Sequence, residues 1–191
     1  MGIFKNRFSK NGFWLLLSTC AFPIHVWTLI LFFRDFSWVS ERTNSWDAIG
    51  VGSYGLLIAF IESLFVFFIA VGLSFFLPNK WSEDKRTSII GMVVLLVAFW
   101  AIIGQLYFLM EVQIPVRFLQ VVARNSHPLW ILYGIVLVFI GTTLALPGYI
   151  LYRSVKAQKN IIDLFDRLST LAFLYFFLDI CGLVVVAIRN S

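Results

Sequence analysis

The sequence predicts an all-α polytopic integral membrane protein: a bundle of five transmembrane helices, N-terminus cytoplasmic and C-terminus outside. Three observations predict it. The 191 residues are 60% hydrophobic and only 13% charged, against roughly 45–50% and about 25% in a soluble domain. The apolar residues gather into five runs close to the ~20 residues that a spanning helix needs. The basic residues flank those runs unevenly, which is what sets orientation in a bilayer.

The first run covers residues 13–33. Lys5, Arg7 and Lys10 precede it, as in a secretory leader. The run is longer than the ~7–15 apolar residues of a cleaved leader, and no small-residue cleavage site follows, so a span is expected. Gly2 invites a myristoylation check, but position 6 is Asn where the motif wants Ser or Thr. The second run, 49–77, is too long for a perpendicular helix and should tilt or project. It opens on Gly50-Val51-Gly52-Ser53-Tyr54-Gly55, which matches G-x-G-x-x-G. That pattern signals dinucleotide binding only between a strand and a helix. Ahead of a span it reads as close helix packing.

The third run is 88–110. Residues 115–124 then place Val116, Leu119 and Val122 on one helical face and Arg117, Gln120 and Arg124 on the other. With Pro115 as a starter, this is expected to be an interfacial amphipathic helix. The fourth run, 129–152, carries Gly134, Gly141, Ala145 and Gly148 on one face, a small-residue stripe of the kind that packs helices in lipid. Residues 160–167 are amphipathic again and should run directly into the fifth run, 168–188. No repeat or linker divides the chain, so residues 1–191 form a single membrane domain.

Ten of the 15 basic residues fall on one side of this arrangement. They are Lys5, Arg7 and Lys10, then Lys80, Lys85 and Arg86, then Arg153, Lys156, Lys159 and Arg167. Arg34, Arg42, Arg117, Arg124 and Arg189 fall on the other. The richer side is expected to be cytoplasmic. Trp14, Trp38, Trp46, Trp81 and Trp130 sit near run boundaries, where indoles anchor, while Trp27 and Trp100 lie deeper.

Small residues form stripes in the other runs too. They include Ser18, Ala21, His25 and Thr28 in the first, Gly55, Ala59, Ser63 and Ala70 in the second, and Gly91, Ala98, Ala101 and Gln105 in the third. The fifth has Ala172, Tyr175, Asp179 and Gly182. Pro23 and Pro147 lie within runs, where a kink is the ordinary consequence.

Three ionisable residues lie deep: His25, Glu62 and Asp179. A charge at the bilayer centre costs ~2.5–3.5 kcal/mol on insertion scales, so such residues are candidates for a site by default. At ~1.5 Å per residue, each lies ~12–15 Å below the outer boundary of its run. One layer could therefore hold all three. Adjacent carboxyls would not both ionise there, and an imidazole could accept the shared proton. The competing reading is that each serves separately as interhelical glue.

Other chemistry is not signalled. No HExxH, GxSxG, P-loop or paired-cysteine motif occurs, so no catalytic residue, metal or cofactor is expected. Cys20 and Cys181 lie inside runs and read as small apolar side chains. The loop expected at 34–47 holds Arg34, Asp35, Glu41, Arg42 and Asp47, which should pair with one another on the surface.

The net charge of +5 is spread over short connections, so the expected partners are membrane lipids, with anionic headgroups on the cytoplasmic side, and no nucleic acid. The expected location is the plasma (cell) membrane. The expected function is that of a non-catalytic subunit of a homo-oligomer or a larger membrane complex. The alternative is a small proton- or cation-coupled transporter or channel using Glu62, Asp179 and His25. An intramembrane enzyme acting on lipid ranks third.

Overall fold

The computed structural model describes residues 8–110 and 115–191; Gly2, Lys5 and Arg7 lie outside the described residues. Six helices follow in order: α1 (Lys10–Arg42), α2 (Ser45–Ser74), α3 (Glu83–Leu109), α4 (Val116–Ala123), α5 (Pro128–Arg153) and α6 (Val155–Asn190). All but α4 are long and apolar enough to cross a membrane.

Four of the five long helices start where a side chain takes up a free N–H group. Ser9 accepts from the N–H of Gly12 at 3.1 Å and starts α1. Asn44 accepts from Asp47 N–H at 2.9 Å and starts α2. Ser82 precedes Glu83 and Asp84, whose negative charge suits the first turn of α3. Pro128 opens α5, and Ser154 both ends α5 and caps α6. Pro23 and Pro147 sit within α1 and α5.

Two boundaries depart from the sequence reading. Residues 34–42 are helix, not loop, and only Thr43 and Asn44 separate α1 from α2. Loss of hydrophobicity does not end a helix; a cap or breaker does, and here the chain leaves helical geometry at Thr43, the C-cap of α1, just before Asn44 caps α2. At its far end α2 stops at Ser74, short of residue 77. Phe75, Phe76 and Leu77 donate to the carbonyls of Gly72, Leu73 and Ser74, a tightened last turn ahead of Pro78. The segment 160–167 does continue into the fifth run, as part of the 36-residue α6.

α1 is the central helix, packing against α2, α3 and α6, while α2 also packs on α6. α5 is peripheral and touches mainly α3, where Trp100 Nε1 donates to Thr143 Oγ1 at 3.0 Å. Leu16, Cys20, Ala70, Val71 and Ile90, with Phe8, form a buried cluster where α1, α2 and α3 meet. Close to it, Phe165 of α6 is fully buried against Gly91 of α3, where a Cβ would collide with the ring.

The small-residue stripes of α1, α2 and α6 largely face inward: Ser18, Ala21, His25, Ala59, Ser63, Ala70, Ala172, Tyr175, Asp179 and Gly182 are all buried. That of α3 is buried at Gly91 and uncovered by Ala101 and Gln105. The stripe of α5 differs from the others. A Cβ at Gly134, Gly141 or Gly148 would meet nothing within 4 Å, and Ala145 is exposed. Among the described residues it packs no helix, because α5 leans on α3 through Phe139 and Thr143 instead.

Candidate functional site

His25 and Asp179 meet at the middle of the bundle. α1 carries the histidine one turn beyond Ala21, and α6 carries the aspartate one turn beyond Tyr175. His25 Nε2 lies 3.1 Å from each carboxylate oxygen of Asp179. The imidazole is fully buried and the aspartate side chain only 8% exposed. Tyr175 stacks on the imidazole, centroids 5.3 Å apart and planes 19° apart.

The proton inventory follows from the partners. His25 Nδ1 lies 2.9 Å from the carbonyl of Ala21, which can only accept, so Nδ1 carries a hydrogen. One further proton lies between Nε2 and the carboxyl group. Written as imidazolium–carboxylate or as imidazole–carboxylic acid, the pair has no net charge. Ser63 Oγ sits 3.5 Å from Nδ1 and donates to the carbonyl of Ala59 at 2.7 Å. Both ring nitrogens are thus occupied and one ring face is covered by Tyr175. Such a pair ties α1 to α6; it offers a substrate little.

Glu62 is not in this cluster. It follows Ile61 and precedes Ser63, so it lies at the level of the pair, but one residue turns a helix by ~100°. The serine faces His25; the glutamate faces outward and is exposed. It lines a groove between α1, α2 and α3 together with Trp27, Thr28 and Gln105. Depth along each helix was legible in the sequence. The direction of Glu62 around α2 was not, because it adjoins the small-residue stripe without belonging to it.

No family model, curated protein or solved structure matches this chain. The functional reading therefore rests on its own residues.

A second polar contact joins the ends of α2 and α6. Arg189 Nη1 donates to the carbonyl of Trp46 at 2.7 Å, and Nη2 to Asp47 Oδ1 at 2.6 Å. Asn190 Nδ2 donates to the hydroxyl of Tyr54 at 2.8 Å. The ion pair of Asp47 therefore crosses the fold, to a residue 142 positions away, while its other carboxylate oxygen accepts from Asn44 Nδ2 at 2.8 Å. Arg34 does pair locally, its Nε 2.7 Å from Asp35 Oδ1.

The glycine motif is part of the same packing. A Cβ at Gly50 would strike the Arg189 guanidinium, one at Gly52 would strike the ring of Phe32, and one at Gly55 would crowd Thr28. These glycines admit neighbouring side chains, the role expected of them outside a βαβ unit.

Among the described residues no group of three or more His, Cys, Asp or Glu side chains could hold a metal ion. The four side chains shared by the two parts of the groove mark a site that motif searching does not find. The sequence signal for it is weak: Trp27 lies deep, away from the boundaries where indoles anchor, and Gln105 is a lone amide in an apolar run.

Proposed function

We propose that this chain is a multi-pass membrane protein, N-terminus cytoplasmic and C-terminus outside, that acts as a non-catalytic subunit of a homo-oligomer or larger membrane complex. One observation carries the reading: the glycine stripe of α5 has no partner among the described residues. In lipid, helices associate through small residues that let backbones approach. A stripe of three glycines at seven-residue spacing, turned away from its own bundle, suits a helix from another subunit. The closed His25–Asp179 pair fits the same reading, since it ties two helices of the bundle together.

Native mass spectrometry of the chain extracted in mild detergent tests this. The expected result is an oligomer or a reproducible complex with another membrane chain, lost in Gly141→Leu while the helix content stays unchanged. A wild-type chain that runs as a monomer and brings down no other membrane chain would rule the reading out. The orientation is tested separately, by cysteine labelling at the exposed positions Lys80, Lys159 and Arg117. Lys80 and Lys159 should react from the cytoplasmic side and Arg117 from the other.

Proton-coupled transport is the second reading, favoured by the buried His25–Asp179 pair. It needs the pair to exchange its proton with an aqueous path, and Glu62 to take part, although Glu62 faces the groove and not the pair. In liposomes, transport predicts that Glu62→Gln and Asp179→Asn each abolish proton flux; the subunit reading predicts no flux in the wild-type chain.

A further inference from the structure

The first turn of α3 meets the last turn of α5 at one end of the bundle, and there cations sit on aromatic rings. Lys85 Nζ lies 3.7 Å from the ring centre of Tyr152 and 4.8 Å from that of Trp81. The two rings touch each other, centroids 5.7 Å apart. Trp81 is held through its backbone: its carbonyl accepts from Arg86 Nη2 at 3.2 Å, and its N–H donates to the Pro78 carbonyl at 3.2 Å. On the same stretch of α5, the Arg153 guanidinium lies 5.0 Å from the ring centre of Tyr149. Tyr149, Tyr152 and Arg153 share one side of α5, since residues three and four apart are neighbours on a helix.

These groups can all donate, and they lack an anion. Among the described residues neither Lys85 Nζ nor the Arg153 guanidinium is within ion-pair distance of a carboxylate. The acids next to Lys85 in sequence do not serve it. Glu83 is turned to α1, where it accepts from the N–H and Oγ of Ser9 at 2.9 and 2.6 Å. Asp84 is exposed and forms no ion pair among the described residues. Ring contact holds the two cations in place but leaves their N–H donors, and a lysine and an arginine carry several each. Tyr149 and Tyr152, both more than half exposed, add two hydroxyls.

The cluster also lies where α5 passes from apolar to polar. Leu146, Ile150 and Arg153 follow at four- and three-residue spacing along one side, and all three are exposed. An apolar strip that ends on cationic donors has the order of a phospholipid, acyl chain then phosphate. A choline head would bring a second cation to rings that Lys85 already occupies, so a headgroup without a cation fits better.

We propose that Lys85 and Arg153, with Tyr149 and Tyr152, bind the phosphate of an anionic glycerophospholipid whose acyl chains lie on Leu146 and Ile150. The two cations donate to the phosphate oxygens, and the tyrosine hydroxyls donate at its edge. The inference needs the chain to lie in a bilayer; it needs neither the glycine stripe of α5 nor a second subunit.

The test is native mass spectrometry of the full chain in mild detergent, titrated with dioleoylphosphatidylglycerol or dioleoylphosphatidylcholine. Phosphatidylglycerol should bind at least about fivefold tighter, the effect of ~1 kcal/mol per basic residue at a lipid surface. Lys85→Gln and Arg153→Gln should each remove about that factor for phosphatidylglycerol and leave phosphatidylcholine unchanged. Lys159→Gln removes the same charge from an exposed lysine of α6 and should change neither, which separates this site from diffuse attraction. Should Lys85→Gln lose helix content, Arg153→Gln carries the test. The proposal is overturned by equal binding of the two lipids, or by Lys159→Gln weakening phosphatidylglycerol as much as Arg153→Gln does. It is also overturned by a folded Arg153→Gln chain that binds phosphatidylglycerol as the wild type does, or by inorganic phosphate in molar excess displacing the lipid, which would assign the donors to the free anion.

Discussion

Replacing Asp179 by valine strands the Nε2 of an imidazole that has 0% exposure. The cost follows from that burial and from the solvent around the bundle. Leaving a buried polar group unsatisfied costs ~1–3 kcal/mol in soluble proteins. In lipid, interhelical hydrogen bonds average ~0.6 kcal/mol and reach ~1.7, because separated helices also find partners. The pair is uncharged as a whole, so the larger penalty for stranding a buried charge does not apply. Asp179→Val is therefore expected to cost ~1–2 kcal/mol, about a five- to thirtyfold shift in the folding equilibrium. His25→Leu should cost a similar amount. The double variant should return to within ~1 kcal/mol of wild type, since replacing both members by apolar side chains removes the unpaired group.

Asparagine at 179 sharpens the test. With its hydrogen on Nδ1, held by the Ala21 carbonyl, the imidazole presents Nε2 as an acceptor, and an amide N–H can donate to it. Asp179→Asn should cost less than ~0.5 kcal/mol, below the average interhelical hydrogen bond in lipid. The assay is reversible unfolding in mixed mild-detergent and SDS micelles, followed by tryptophan fluorescence. Costs that simply add in the double variant would show that the two residues are not coupled. A penalty for asparagine as large as for valine would show that an amide cannot replace the carboxyl group as the partner of Nε2, refuting the expectation that a single donated hydrogen bond suffices there.

Three further outcomes are expected. Gly182→Ala places a Cβ 3.2 Å from the backbone oxygen of Ser53 and should destabilise by ~1–3 kcal/mol through overpacking; Gly104→Ala, with nothing within 4 Å, should stay within ~0.5 kcal/mol of wild type in the same unfolding assay. Arg189→Gln removes the half-buried pair with Asp47, and should cost ~0.5–1 kcal/mol and speed hydrogen exchange at the start of α2, while the α3 amides stay unchanged. Phe165→Ala empties a fully buried ring site against Gly91 and should cost ~3–5 kcal/mol, read as a lower SDS midpoint, with Gly91→Ala also destabilising.

The number of long helices, their approximate spans and the amphipathic segment ahead of α5 were legible in the sequence. Hydropathy and helix rise are properties of the local chain and need no partner to be read. Depth was legible for the same reason: counting residues from each boundary puts His25, Glu62 and Asp179 at one level. Which residues join at that level was decided only by the tertiary structure. α1 must pack beside α6 for an imidazole and a carboxyl 154 residues apart to share a proton, and no local pattern encodes that adjacency. The turn of ~100° between Glu62 and Ser63 then sends one into the groove between α1, α2 and α3 and the other toward His25. The same holds for Asp47: Arg34 and Arg42 lie nearby in sequence, yet its ion-pair partner comes from the far end of α6. The glycine stripe of α5 shows the converse. Its spacing was plain in the sequence, but a stripe says only that something can approach closely. Among the described residues nothing does, because α5 uses its aromatic and threonine face on α3.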